Sequence, residues 1–422
     1  MAAPEMGVDH QRQHQPGLRV LLPQAEKTDA RLPRGASVGG RSRSRRREMT
    51  LLPGQPPTAA GAPASGAPAA GGDKQRRFAM PLRIGLVGLG MMGTTHYKSY
   101  QEVPEARVVA VCDPDARKLA GDWSAALGNI DTGAAQQTDL SALRKYTDFA
   151  ALAADPEVDI VDLCVPTNQH AGMALAALAA GKHVFCEKPM ARTSRLARQM
   201  IRAAGRAGRM LAVGHVLRFW PEYLMMKDMI DSRRYGAVRA AYFVRLSARP
   251  LWSWDNWIQD AERSGAAALD LHIHDTDTVL WFFGRPAKVA AAGMFEGSAV
   301  AHIVTEYRFE GGPLVVAEGG WNFPAPYPFR MEARILFEHA AVEYSSLRTP
   351  ALTVYDGRTG KAESPPVPAA SGYTEELRYF VDCVAAGREP ERLRPADSAA
   401  AVALVEAEVR SARAGRPVAV KT

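Results

Sequence analysis

The chain has 422 residues, 47% of them hydrophobic, and is long enough for two or more domains, each with its own core. Its formal charge of +7 points to nucleic acid only until the charge is located: 13 of the 52 Lys and Arg, but 6 of the 45 Asp and Glu, fall within residues 1–79. The remaining 39 basic and 39 acidic residues balance, so no specific nucleic-acid partner is expected for the folded part.

Residues 1–79 are rich in Pro, Ala, Gly and Gln, with a basic run from Arg41 to Arg47 and a low-complexity stretch from Pro53 to Gly72. Such a segment cannot bury enough apolar surface to offset its ordering entropy, and it is expected to be disordered. Neither arginine cluster leads into an apolar segment of signal-peptide length. Two readings of the tail stand: a solvated arm with weak affinity for polyanions, or residues upstream of a chain that starts at Met80. No apolar run approaches the ~18 residues needed to span a bilayer, so no membrane association is expected. The four cysteines, Cys112, Cys164, Cys186 and Cys383, are widely spaced with no Cys-x-x-Cys or Cys/His spacing. They read as core residues in a reducing cytoplasm, and no metal is expected.

From Leu82 to Val87 the pattern is that of a buried strand, running into Gly88-Leu89-Gly90-Met91-Met92-Gly93 and then a helical stretch through Tyr100. Strand, Gly-x-Gly-x-x-Gly and helix together are the setting in which a dinucleotide's pyrophosphate meets free N–H groups at a helix N-terminus. Gly88 allows the tight turn, Gly90 the close approach of backbone to phosphate, and Gly93 the contact of helix with strand; Met91 and Met92 lie between them. A second strand, Arg107 to Cys112, ends in Asp113, 20 residues beyond Gly93. An anion there bonds the adenosine ribose hydroxyls and repels a 2′-phosphate, so NAD is expected. Arg117 and Lys118 lie just beyond and keep NADP as a second reading.

Alternation of strands and helices continues: a strand end at Tyr146 to Asp148, a helix from Phe149 to Ala154 and a buried strand from Val158 to Val165. The loop Pro166-Thr167-Asn168-Gln169-His170 precedes a helix from Ala171 to Ala180. Thr167 and Asn168 are good caps, and their place at the carboxyl edge of the sheet also makes Pro166, Thr167, Asn168 and His170 candidate cofactor contacts. The apolar run from His183 to Cys186 then ends in Glu187-Lys188-Pro189. An ammonium at that edge points at whatever the sheet binds and can hold a substrate hydroxyl. A helix from Thr193 to Ala207 and a strand from Met210 to Gly214 complete a doubly wound α/β sheet over residues 80–214.

Residues 215–422 read differently. Alternating strands at Val238 to Val244, Ala301 to Phe309, Leu314 to Gly319 and Arg330 to Glu338 argue for a second, α+β domain, closed by helices at Tyr373 to Ala386 and Ala396 to Ala414. The loop from Pro250 to Trp257 sets Trp252, Trp254 and Trp257 beside Asp255 and Asn256. Aromatic faces beside polar groups suit a sugar or polyol, as does a second cluster of Trp321, Asn322, Tyr327 and Arg330. The segment Leu269-Asp270-Leu271-His272-Ile273-His274-Asp275-Thr276-Asp277 alternates like a strand carrying His-x-His, a metal-hydrolase pattern. Its apolar continuation to Phe283, stopped by Gly284, suits a helix instead.

The strand-GLGMMG-helix unit, the following VCD, the CVPTNQHA loop, the FCEKP strand end and the DLHIHDTD segment resemble the Gfo/Idh/MocA family, from Met80 to the C-terminus. The resemblance implies an N-terminal Rossmann domain and a C-terminal domain whose large, mostly antiparallel sheet covers the active site and makes a homodimer or homotetramer. It also implies that segment 269–277 is helical, with Asp270 and His274 four residues apart on one face. With Lys188 these form the family's catalytic set. His274 is the candidate base, Asp270 its support, and Lys188 the donor to the reacting oxygen beside the nicotinamide, with Glu187 next to it. His215 and Arg218 match a family stretch that lines the cleft. The implied reaction is hydride transfer between NAD(P) and a secondary alcohol of a sugar, inositol or related polyol. Two alternatives remain: a glycosidase that oxidises its sugar transiently with NAD, and a non-catalytic NAD-binding sensor.

Overall fold

The computed structural model describes residues 80–128 and 137–421. The expected tail, residues 1–79, lies outside the described residues.

The first half is built as the glycine pattern requires. Strand β1 (Leu82–Val87) turns through the glycines into α1 (Met91–Tyr100), followed by β2 (Ala106–Cys112), the short α2 (Ala116–Leu119), β3 (Arg144–Tyr146), α3 (Phe149–Ala154) and β4 (Ile160–Leu163). Then come α4 (Thr167–Ala179), β5 (His183–Glu187), α5 (Ser194–Ala207) and β6 (Leu211–Gly214). The six strands pair in parallel in the order β3-β2-β1-β4-β5-β6. Strand order reverses between β1 and β4, and a crevice opens there at the carboxyl ends. The core strand β4 is shorter than its apolar pattern: Val158 and Val165 lie outside the strand, yet both pack against the same core.

The cap of α4 also differs from the sequence expectation. Pro166 is its N-cap and Thr167 its first helical residue, so neither Thr167 nor Asn168 caps through a side chain. Proline's fixed φ pre-sets the helix entry, and the helix starts four residues earlier than its apolar pattern.

After a 3₁₀ turn at Val216–Phe219 and α6 (Pro221–Asp231), the long β7 (Val238–Ala248) begins a second sheet. Three helical pieces, α7 (Ala261–Ser264), α8 (Ala266–Asp270) and α9 (Ile273–Phe283), precede the strands β8 (Lys288–Glu296), β9 (Ala299–Arg308) and β10 (Leu314–Phe323). The rest are β11 (Arg330–Phe337), β12 (Ala340–Ser345), β13 (Leu352–Asp356), β14 (Lys361–Glu363), α10 (Gly372–Ala386), α11 (Pro395–Ala414) and β15 (Val418–Ala419). The nine strands run β14-β13-β12-β11-β7-β10-β9-β8-β15, antiparallel except for the pair β7–β10. Segment 269–277 is therefore helical, which removes the His-x-His strand, but it is two helices that meet at Leu271 and His272 rather than one.

The closing helices return to the first sheet. Leu377, Phe380 and Val381 of α10 share a core with Ile84, Val108 and Phe185, and the Phe185 and Phe380 rings lie 5.5 Å apart. From α11, Glu406 accepts hydrogen bonds from the Ser194 amide and hydroxyl at the start of α5. This packing sets α10 behind the end of β5, where Lys188 stands.

Candidate active site

A cavity of about 690 Å³ extends from the glycine turn, past the end of β5, to the broken helix α8–α9 and the second sheet. Its walls explain which of the sequence-expected residues meet.

At one end, Gly88 has φ +87°, and a Cβ there or at Gly93 would overlap main-chain carbonyl oxygens of Cys164 and Gly88 respectively. Both positions demand glycine for backbone reasons. Gly90 differs: a Cβ there would meet nothing within 4 Å, and it caps α1 without a side-chain bond. Open space at a bare helix N-terminus fits a pyrophosphate. Asp113, 4% exposed, accepts the Leu89 amide at 2.8 Å and the Asp115 amide at 2.9 Å. Lys118 Nζ approaches it at 3.4 Å. The acid thus braces the glycine turn and lines the cavity where a ribose would lie.

Met91, Met92, Pro166 and Glu187 also line the cavity, whereas Gly93, Thr167, Asn168 and His170 do not. Asn168 is exposed. His170 is buried, its ring nitrogens each 2.8 Å from a main-chain oxygen, of Pro189 and of Val165. It ties the β4–α4 loop to the turn that carries Lys188 and positions that turn from behind.

Midway, Lys188 Nζ donates to the Asp270 carbonyl at 2.9 Å and faces its carboxylate at 3.3 Å. His274 lines the same cavity as the second residue of α9. Asp270 is held by Lys188, and His274 Nδ1 is buried without a hydrogen-bond partner among the described residues. Burial, then the charge of Lys188, pushes the His274 pKa well below its ordinary value. The imidazole is therefore neutral, with a lone pair available.

At the far end stand Trp252, Trp254, Trp257 and Trp321; Asn256 and Tyr327 lie outside the cavity. Tyr327 is stacked on Phe323 at 4.2 Å, a contact within its own strand-end loop. Arg218 lies outside it too. It is buried and forked onto Asp277 at 2.9 and 2.7 Å, with further bonds to the Arg392 carbonyl and Asp397. Every arm of that guanidinium is occupied, so it serves the fold rather than a ligand.

Among the cavity residues that went unread in the sequence are Arg245 and Tyr373. Arg245 is buried on β7 and bonded to Asp275 at 2.8 and 3.1 Å. Period two puts it on the same face as buried Ala241 and Phe243, and a charge in that phase signals a buried partner. Tyr373 starts α10, and no local pattern points it toward the cavity.

Residues 82–215 match the family described as an oxidoreductase family with an NAD-binding Rossmann fold, and residues 223–343 match the Gfo/Idh/MocA C-terminal domain. The chain is 31% identical to inositol 2-dehydrogenase 2 of Saccharopolyspora erythraea, over 80% of this chain and 94% of that protein. It is 30% identical to D-apiose dehydrogenase of Paraburkholderia graminis, over 80% and 89%. In structure it is similar to an oxidoreductase domain protein from Kribbella flavida, with a TM-score of 0.68, 24% identity, and 81% and 100% of the two chains covered. The protein belongs to the Gfo/Idh/MocA family of NAD-binding oxidoreductases.

Proposed function

We propose that this oxidoreductase interconverts a secondary alcohol and a ketone on a sugar, inositol or related polyol, with Lys188, Asp270 and His274 as its working residues. The observation that carries this reading is the pairing of Lys188 with Asp270 at the midpoint of a cavity that has a phosphate-accepting turn at one end and four tryptophans at the other.

NAD, when bound, supplies the hydride acceptor, and the chain's own residues handle the proton. Lys188 donates to the alcohol oxygen and stabilises the charge that develops on it. His274, as the neutral imidazole, accepts the hydroxyl proton on the ring nitrogen that carries the lone pair. Asp270 keeps the ammonium in place and partly balances its charge. Gly88, Gly90, Met91, Met92, Asp113, Pro166 and Glu187 hold the cofactor. Trp252 and Trp254 offer flat faces to the C–H side of a sugar ring, as the relatives named for inositol and apiose support.

The test is a panel of inositols, aldoses, polyols and glycosides with NAD or NADP, read by absorbance of the reduced nicotinamide. Glycoside cleavage without net reduction, or binding without turnover, would favour the glycosidase or sensor reading instead.

An assembly through the second sheet belongs to the same proposal. Tyr242, Leu336 and Tyr355 are 37%, 50% and 42% exposed, and line a shallow hollow on one sheet face. An apolar sheet face of this kind suits a second copy of the chain, as a homodimer or homotetramer. Light scattering on Leu336→Lys, compared with wild type, tests it. A cytoplasmic location is proposed from the four unpaired cysteines, and no described helix is long and apolar enough to cross a membrane.

A further inference from the structure

Behind Glu187 lies a group of acids that the proposed reaction leaves unused. His96 of α1, Glu187 at the end of β5 and Glu376 of α10 bring a ring nitrogen and two carboxylates within 4.8 Å of one another. All three are buried. Glu187 faces His96 Nε2 at 3.2 Å with one oxygen and accepts the Lys188 amide at 3.1 Å with the other. His96 Nδ1 lies 2.9 Å from Asp162, which also accepts the Tyr100 hydroxyl at 3.1 Å. Glu376 stands apart: it is wholly buried, and neither carboxylate oxygen has a hydrogen-bond partner among the described residues.

An unpaired carboxylate in such a place stays protonated unless a further positive charge comes near it. Asp162 and Glu187 already share the one imidazole. Burial first, then the charge of Glu187, pushes the Glu376 pKa well above the ordinary carboxyl range. Burial also opposes ionisation of Glu187, but the His96 hydrogen bond and charge, with Lys188, bring its pKa below the ordinary value. The pair therefore carries one proton, held by Glu376. Cys164, whose sulfur lies 3.3 Å from His96 Nδ1, completes the cluster and also lines the cavity. On the cavity side the charged or titratable neighbours are Lys188, His215, Tyr373 and Arg245.

Glu187 is the carboxylate of the cluster that lines the cavity, next to Lys188. Its charge is therefore felt where the proposed reaction turns a cationic nicotinamide ring into a neutral one. We propose that Glu376 gives up its proton when the oxidised cofactor binds and retains it with the reduced cofactor, so that the Glu187–Glu376–His96 cluster sets the relative affinity for NAD and NADH. The step breaks only the Glu376 O–H bond; the proton leaves by way of Glu187 to solvent, and nothing is oxidised or reduced. The inference rests on the reading that the nicotinamide occupies the cavity beside Lys188.

The experiment is calorimetric binding of NAD and of NADH to the full chain, in buffers of different ionisation enthalpy, between about pH 5 and 9, above the ordinary carboxyl range. For wild type, NAD binding should release up to one proton more than NADH binding. The ratio of the two affinities should then shift toward NAD as pH rises, by at most about tenfold per pH unit. Glu376→Gln, which keeps the shape and removes the proton, should leave that ratio flat. Infrared difference spectra of wild type should show a protonated-carboxyl band that NAD removes and NADH does not, a result that needs no variant to fold. Equal proton release for the two cofactors, an unchanged slope in Glu376→Gln, or a tightly held metal ion found in the purified protein would each overturn the proposal. Proton-linked NAD binding without oxidation of any sugar would leave it standing and sink the substrate reading alone.

Discussion

Lys188 Nζ lies 2.9 Å from the main-chain carbonyl of Asp270 and 3.3 Å from its carboxylate, so one residue offers the ammonium two acceptors. The main-chain contact is available only because α8 ends at Asp270 and leaves that carbonyl without an intrahelical partner. The break at Leu271 and His272 is thus part of how the lysine is held.

A graded set of losses follows from that arrangement. Lys188→Ala and His274→Ala should each lower turnover by about two or more orders of magnitude, the usual scale for positioned acid–base or electrostatic help. Asp270→Asn keeps the carbonyl contact and should cost less, about tenfold. NAD affinity should change little in His274→Ala. Full activity in His274→Ala, measured by steady-state kinetics, would leave Lys188 as the sole base.

The half-buried, neutral His274 also fixes a sign for acid sensitivity. Its folded pKa is below the ordinary value, so below about pH 6.5 the unfolded chain binds a proton that the folded one refuses. Its contribution to stability therefore falls as pH falls from about 6.5 toward the folded pKa. His274→Gln should gain on wild type over that window by up to about 1.4 kcal/mol per pH unit, read by denaturant unfolding. A difference that does not vary with pH would show that His274 is protonated in the native state.

Much of the nucleotide half was legible because its signals are local. Leu82 to Gly93 carries strand, turn and helix start in twelve consecutive residues, and Asp113 follows at a fixed distance. The second half was legible in class but not in detail: β8, β12, β13, β14 and β15 went unread, because short strands and strands rich in alanine carry a weak hydrophobic period. What sequence could not supply was pairing across distance. Arg218 reads as a cleft residue until Asp277, 59 positions away, is seen to occupy it. Glu376 lies 189 positions after Glu187 in the sequence, and no local pattern joins them.

Removal of residues 1–79 should leave folding and turnover unaltered, because the described residues beyond 79 form both sheets and line the cavity. Thermal unfolding and kinetics of a chain starting at Met80 test this. Loss of soluble protein or of activity would assign the tail a structural role.

Arg218 should behave as a framework residue. Arg218→Ala strands Asp277 in the interior, and breaking a buried pair of this kind costs about 3–5 kcal/mol. Arg218→Met combined with Asp277→Leu should recover much of that loss, since the uncompensated charge is then gone. Substrate KM in the double variant should stay near wild type. A KM raised by about a hundredfold with stability intact would instead place Arg218 in substrate binding.

Cofactor choice turns on Asp113, which has two tasks in the structure. Its carboxylate lines the cavity, and it also accepts the Leu89 and Asp115 amides. Asp113→Ser with Pro114→Arg removes the anion that would accept ribose hydroxyls and adds a cation for a 2′-phosphate, so kcat/KM should shift from NAD toward NADP. The same change loosens the glycine turn and should cost about 1–3 kcal/mol of stability, since buried amides lose an ionised acceptor. The ratio of kcat/KM for the two cofactors is therefore the measurement to use, because a general loss of folded protein cancels from it. If wild type already favours NADP by about tenfold, a difference of about 1.4 kcal/mol, then Lys118, 3.4 Å from Asp113, outweighs the acid and the assignment of NAD to this site is wrong.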